Sequence, residues 1–138
     1  MMNIKEIAHS LPFHKHQIYV KEWQPDPIHG ANQACIILIH ESLGSVALWK
    51  DFPKQLAEIT QRRVFAYDRL GFGQSSTLTD SLKPNFVQLE AEQSFTQLIQ
   101  YFKLDKFIVM GHSVGGGMAS SCATIFPTQC KAVIVESA

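Results

Sequence analysis

The stretch Phe107-Ile108-Val109-Met110-Gly111-His112-Ser113-Val114-Gly115-Gly116 constrains the fold of this chain more than any other. Its first four residues form an unbroken apolar run, of the kind buried on both faces of a sheet. The segment Gly117 to Phe126 is small and apolar and reads as a helix stopped by Pro127. A strand that passes into a helix this quickly brings backbone against backbone. Gly111 and Gly115, two residues either side of Ser113, stand where a Cβ would collide. Ser113 itself is expected to take a positive φ, which is uncommon for a residue other than glycine.

Strand, G-x-S-x-G and helix in this order describe a nucleophile elbow. The hydroxyl is presented at a helix N-terminus, where unpaired N–H groups and the positive dipole end favour negative charge developing on a bound carbonyl oxygen. A phosphate-binding turn is the competing reading of the same letters. The G-x-G-x-x-G spacing of a dinucleotide loop and the G-K-[ST] ending of a P-loop are both missing.

The rest of the chain alternates strands with helices. Ile18-Tyr19-Val20 and Ala34 to Ile39 read as strands separated by a turn region from Pro25 to Gly30. Trp49, Phe52, Leu56 and Ile59 recur at helical spacing, with Pro53 tolerable in the first turn. Val64 to Tyr67 is the next strand. Ala91, Phe95, Leu98 and Phe102 define an amphipathic helix from about Asn85 to Phe102. Ala132 to Val135 forms the last strand. Apolar strands without polar alternation, separated by helices, predict an α/β fold: a mostly parallel sheet covered by helices on both faces.

Two further segments give the chain a family resemblance. Ile36 to Ile39 runs into His40-Glu41-Ser42-Leu43-Gly44, which resembles the His-Gly-x-x-Gly oxyanion loop of α/β-hydrolases, with Glu41 where glycine is usual. Tyr67-Asp68-Arg69-Leu70-Gly71-Phe72-Gly73-Gln74-Ser75 is similar to that family's Asp-Arg-x-Gly-x-Gly-x-Ser loop, whose role is mainly architectural. The resemblance implies Ser113 as nucleophile, with the amides of Val114 and Ser42 holding the oxyanion and Glu41 as the alternative to Ser42. It implies no cofactor and no metal. A serine at the elbow separates the chain from the aspartate-bearing dehalogenase and epoxide-hydrolase branches. It leaves esterase, thioesterase, C–C hydrolase, acyltransferase and cofactor-free haloperoxidase chemistry open.

The family's triad runs nucleophile, acid, histidine, and no histidine follows Ser113 in these 138 residues. Without a base a serine hydroxyl is a poor nucleophile, and loss of the triad histidine costs on the order of 10⁶ in kcat. The expectation is therefore the amino-terminal portion, residues 1–138, of a single hydrolase domain, truncated after about the sixth strand and probed by a small-molecule acyl substrate. A non-catalytic binding module and a sheet completed by a second chain are the competing readings. Glu136 is the only carboxylate after Ser113, and some relatives carry the acid at that strand end. His112 reads as elbow filler and His40 as an orienting residue. His9, His14 and His16 read as a solvated N-terminal segment.

Composition narrows the partners. Twelve basic residues balance twelve acidic ones and lie scattered, which argues against nucleic acid. The longest apolar run, Ala34 to Ile39, is far too short to span a membrane, and Met1 to Val20 lacks a signal-type apolar core. Cys35, Cys122 and Cys130 read as reduced thiols, which places the chain in the cytoplasm. The last strand, written for a sheet interior, is expected to be an exposed edge through which the chain self-associates.

Overall fold

The computed structural model describes residues 3–26, 33–77 and 83–137. Six strands form one sheet: β1 (Asn3–Phe13), β2 (His16–Asp26), β3 (Cys35–Ile39), β4 (Val64–Tyr67), β5 (Phe107–His112) and β6 (Cys130–Glu136), in the spatial order β1-β2-β4-β3-β5-β6. β4, β3, β5 and β6 run parallel, while β1 and β2 join antiparallel at one side. The expected turn from Pro25 to Gly30 falls partly inside β2, and its residues 27–30 lie outside the described residues.

β3, β4 and β5 are apolar in both registers because both of their faces are covered. On one face Ile37, Ile39, Phe65, Tyr67, Phe107 and Val109 pack with Ala91, Phe95 and Leu98 and with Met118, Ala119 and Cys122 of α4 (Val114–Ile125). On the other, Ile36, Leu38, Val64 and Ala66 meet Ala57 of α1 (Phe52–Thr60) and Val46. The Phe95 and Phe107 rings meet edge to face at 5.2 Å. Burial of one such side chain stabilises the fold by roughly 1.5–3 kcal/mol.

The N-terminal segment is largely exposed, as expected, with His14 exposed and His9 and His16 partly so. It is strand β1, joined to β2 through His14 and Lys15, with His14 at φ 54°. His9 is half-buried, its Nε2 3.1 Å from Glu22 Oε1. Ile4, Ile7 and Leu11 are spaced three and four apart, a helical interval, so the strand is specified by its pairing with β2 rather than by its own pattern.

Two helices also depart from expectation. Trp49 closes a separate 3₁₀ turn (Val46–Trp49), because Lys50 takes a positive φ of 54° and breaks the run before α1 begins. The predicted apolar face is thereby reset, leaving Ile59 82% exposed. The helix expected from Asn85 to Phe102 is built as α2 (Phe86–Glu90), a π turn (Ala91–Phe95) and α3 (Thr96–Tyr101). Thr96 Oγ1 donates to the Ala91 carbonyl at 2.8 Å across the widened turn. β6 carries exposed Val133, Ile134 and Val135, and β5 is its one neighbour among the described residues.

Candidate active site

The carboxyl ends of β3, β4, β5 and β6 lie along one rim of the sheet, so the loops that follow them converge, as ligand-binding loops do in parallel α/β folds. At the end of β5 the chain turns sharply. Ser113 has φ 58° and ψ −119°, the expected positive φ. Such a conformation costs on the order of 1–3 kcal/mol and persists only where its surroundings hold it. Here the Ser113 N–H donates to the Glu136 carbonyl at 2.8 Å, and the Gly116 N–H donates to the Ser113 carbonyl at 2.9 Å.

The flanking glycines are explained by distance. A Cβ on Gly111 would lie 1.9 Å from the Gly115 carbonyl oxygen. One on Gly115 would lie 2.4 Å from the Ile39 oxygen and 2.7 Å from that of His40. The second contact joins the elbow to the loop after β3, because it packs the first turn of α4 against the residues from which that loop springs. Val114 is the first residue of α4, where a helix leaves its N–H groups without intrahelical acceptors.

The loop after β3 is gripped from beneath. The Glu41 carbonyl accepts three donors: His40 Nδ1 at 2.7 Å, Arg69 Nη2 at 2.8 Å and the Gly44 N–H at 3.1 Å. The last of these closes a tight turn whose second residue is the exposed Ser42. His40, 2% exposed, also accepts the Arg69 N–H at its Nε2, 3.0 Å away. That pair of bonds fixes its tautomer, with the hydrogen on Nδ1. Burial pushes the His40 imidazole down to about 4, with the Arg69 charge acting in the same direction. Both ring nitrogens are occupied, and the ring is an orienting group.

Arg69 is itself buried, with its guanidinium 4.4 Å over the Phe72 ring. Asp68 tethers the neighbouring segments: Oδ1 accepts the Val46 N–H at 2.6 Å and Oδ2 the Gln74 N–H at 2.7 Å. Ser75 Oγ donates to the Asp68 carbonyl and accepts the Tyr19 N–H, which ties this loop to β2. Asp68 is thus committed to architecture.

Nothing in the local pattern around His112 announces its surroundings. Its Nε2 lies 3.2 Å from Glu41 Oε2 and its Nδ1 3.3 Å from Glu136 Oε2, so the ring is wedged between carboxylates from the loop after β3 and from the end of β6. Glu41, noticed in the sequence only as a departure from glycine, uses its side chain to reach the elbow. Glu136 turns to His112. Beside them is a cavity of about 250 Å³ lined by Glu41, Ser45, Leu48, Trp49, His112 and Glu136, among others. Its walls include the residues immediately before Ser42 and Ser113 but neither serine.

Among the described residues no hydrogen bond joins Ser113 to a histidine; both ring nitrogens of His40 are hydrogen-bonded, whereas His112 lies against Glu41 and Glu136 with its Nδ1 buried and without a hydrogen bond. No group of three or more described His, Cys, Asp or Glu side chains is arranged to hold a metal ion. No described helix is long and apolar enough to cross a membrane. Cys35 and Cys122 are buried free thiols, and burial pushes Cys35 up to about 12.

Comparison with known proteins agrees with this geometry. Residues 34–138 match the profile of the alpha/beta hydrolase fold. The chain is 36% identical over 100 residues to abhydrolase domain-containing protein abhd-5.2 of Caenorhabditis elegans, covering 72% of this chain and 22% of that protein. It is 32% identical over 111 residues to human 1-acylglycerol-3-phosphate O-acyltransferase ABHD5, covering 76% and 30%. The chain therefore spans less than a third of the length of these relatives. Among solved structures, a predicted CIB-like hydrolase from Thermoplasma acidophilum superposes with a TM-score of 0.78 at 18% identity, covering 96% of this chain and 63% of that one.

Proposed function

This chain belongs to the alpha/beta hydrolase fold family, and on that premise we propose that it carries the nucleophile half of a serine acyl-transfer site. Ser113 Oγ attacks the carbonyl carbon of a carboxylic ester or related small acyl compound. The N–H groups of Val114 and Ser42 receive the oxyanion as the carbonyl π bond opens. Collapse of the tetrahedral intermediate expels the alcohol, and the acyl group remains on Ser113 until water or an acceptor alcohol takes it. The observation that carries this reading is the strained backbone of Ser113 at the head of α4, between two glycines whose Cβ positions are blocked by backbone.

Ser42 is the better oxyanion donor than Glu41 on geometric grounds. The His40 carbonyl lies against Gly115 at the elbow, and in a trans peptide the N–H of Glu41 points the opposite way. The base is not among the described groups. A histidine in a longer polypeptide supplies it in this reading, taking the Ser113 proton and returning it to the leaving group.

A second reading, a binding module without catalysis, is favoured by Glu41 in the glycine position and by the engagement of both neighbouring histidines. Hydrolysis of p-nitrophenyl acetate separates the two. Without added base, the 138-residue chain and its Ser113→Ala variant turn over at the same rate. With imidazole supplied as an external base, the acyl-transfer reading requires a serine-dependent rate. Indistinguishable rates in imidazole favour the binding module.

A further inference from the structure

We infer that Arg69 is a positioning residue for the oxyanion site, aiming the Ser42 N–H by holding the carbonyl of the same peptide group. The inference rests on the acyl-transfer reading and adds a role for a residue that otherwise reads as scaffold. The Glu41 carbonyl and the Ser42 N–H lie in one trans peptide plane and point in opposite directions within it. Fixing one therefore fixes the other.

That carbonyl takes hydrogen bonds from Arg69 Nη2 at 2.8 Å, His40 Nδ1 at 2.7 Å and the Gly44 N–H at 3.1 Å. The loop tip has no such anchor: Ser42 and Leu43 are exposed, Leu43 86% so. A substantial fraction of such turns lack the closing bond from the first carbonyl to the fourth N–H, and a turn that opens here frees the Glu41–Ser42 peptide to rotate and carry the Ser42 N–H away from the site. Of the three donors, Gly44 belongs to the turn itself and His40 adjoins it. Arg69 alone comes from another part of the chain, and its guanidinium is stacked 4.4 Å over the Phe72 ring. It is the external reference against which the turn is held.

Glu41 is gripped at its other end as well. Its carboxylate meets His112 Nε2 at 3.2 Å, so the residue before the oxyanion donor is tied to the residue before the nucleophile. Glycine at position 41 would keep the first grip and lose the second.

The test uses Arg69→Lys, which keeps a positive charge but loses the planar fork. It also uses Phe72→Leu, which leaves Arg69 in place without its stacking partner, in case the first variant folds poorly. Two readings are taken on each. The first is exchange of the Gly44 amide by NMR, which reports whether the Glu41 carbonyl still faces its donors. The second is imidazole-assisted acylation of Ser113 by p-nitrophenyl acetate over a range of ester concentrations.

The expected result is Gly44 exchange at least about tenfold faster, since about 1.4 kcal/mol of lost bonding is tenfold in an opening equilibrium. Maximal acylation falls by roughly 10- to 100-fold, the scale of a misaimed oxyanion donor, with the half-saturating ester concentration unchanged. A general loosening would instead move both kinetic constants and the melting curve. Wild-type exchange and wild-type acylation in a folded variant overturn the inference. If the wild-type chain shows no Ser113 acylation, the acyl-transfer reading has failed. The Gly44 exchange then decides alone whether Arg69 holds the turn.

Discussion

Acidification tests the orienting role of His40 in the most quantitative way. Its imidazole is lowered from 6.5 to about 4, with burial as the main cause. A depression of that size corresponds to roughly 3 kcal/mol, at 1.36 kcal/mol per unit. The sign follows from linkage: the unfolded chain binds the proton more readily, so the stability due to neutral His40 is fully present above about pH 6.5 and is lost as pH falls towards 4. Over the middle of that window the slope approaches about 1.4 kcal/mol per pH unit for a single proton. Urea unfolding followed by the fluorescence of Trp23 and Trp49, repeated across the window, measures it. His40→Asn is the control: it retains a donor near the Nδ1 position, cannot titrate, and cancels the contribution of every carboxylate common to both proteins. The variant is expected to start less stable near neutrality and to lose about 3 kcal/mol less than wild type on acidification. Parallel curves for the two proteins would refute the claim that His40 is held neutral in the fold.

Gly115→Ala is expected to destabilise by about 3 kcal/mol or more, because its methyl would meet backbone oxygens of β3 at 2.4 and 2.7 Å rather than a side chain able to move; urea unfolding near neutral pH checks this. Phe95→Ala is expected to cost about 3–5 kcal/mol by the same assay, since Phe95 is fully buried against Phe107 and Phe126. Val133, Ile134 and Val135 expose apolar surface on β6, and the prediction is self-association there. Light scattering over a concentration series is expected to show assemblies that Val133→Lys with Val135→Lys disperses; a wild-type monomer at every concentration removes this proposal.

How much of this was readable in the sequence depended on the range of the interaction. Gly111, Ser113 and Gly115 announced the elbow because backbone collisions between near neighbours dictate them, and the positive φ of Ser113 followed. β3, β4 and β5 were legible because burial on both faces leaves no polar residue in the run, and β6 because Ala132 to Val135 is an apolar run of the same kind, although its side chains are exposed. β1 was not: Ile4, Ile7 and Leu11 carry a helical spacing, and their strand geometry is supplied by β2. The break at Lys50 was hidden as well, since nothing in that residue type demands its φ of 54°. At the site, the loop after β3 and the Asp68 loop could be located, but the grip of Arg69 on the Glu41 carbonyl spans 28 positions. The wedge of His112 between Glu41 and Glu136 depends on three strand ends meeting, which no local pattern records.

Whether the turn at residue 113 presents a hydroxyl able to accept an acyl group can be read by peptide mass spectrometry. The chain is treated with p-nitrophenyl acetate in imidazole and digested, and the acetyl group is located. Acetylation of the Ser113 hydroxyl is expected, absent from Ser113→Ala and suppressed in Arg69→Lys. Acetyl groups confined to lysines and cysteines, with Ser113 unmodified, would contradict it.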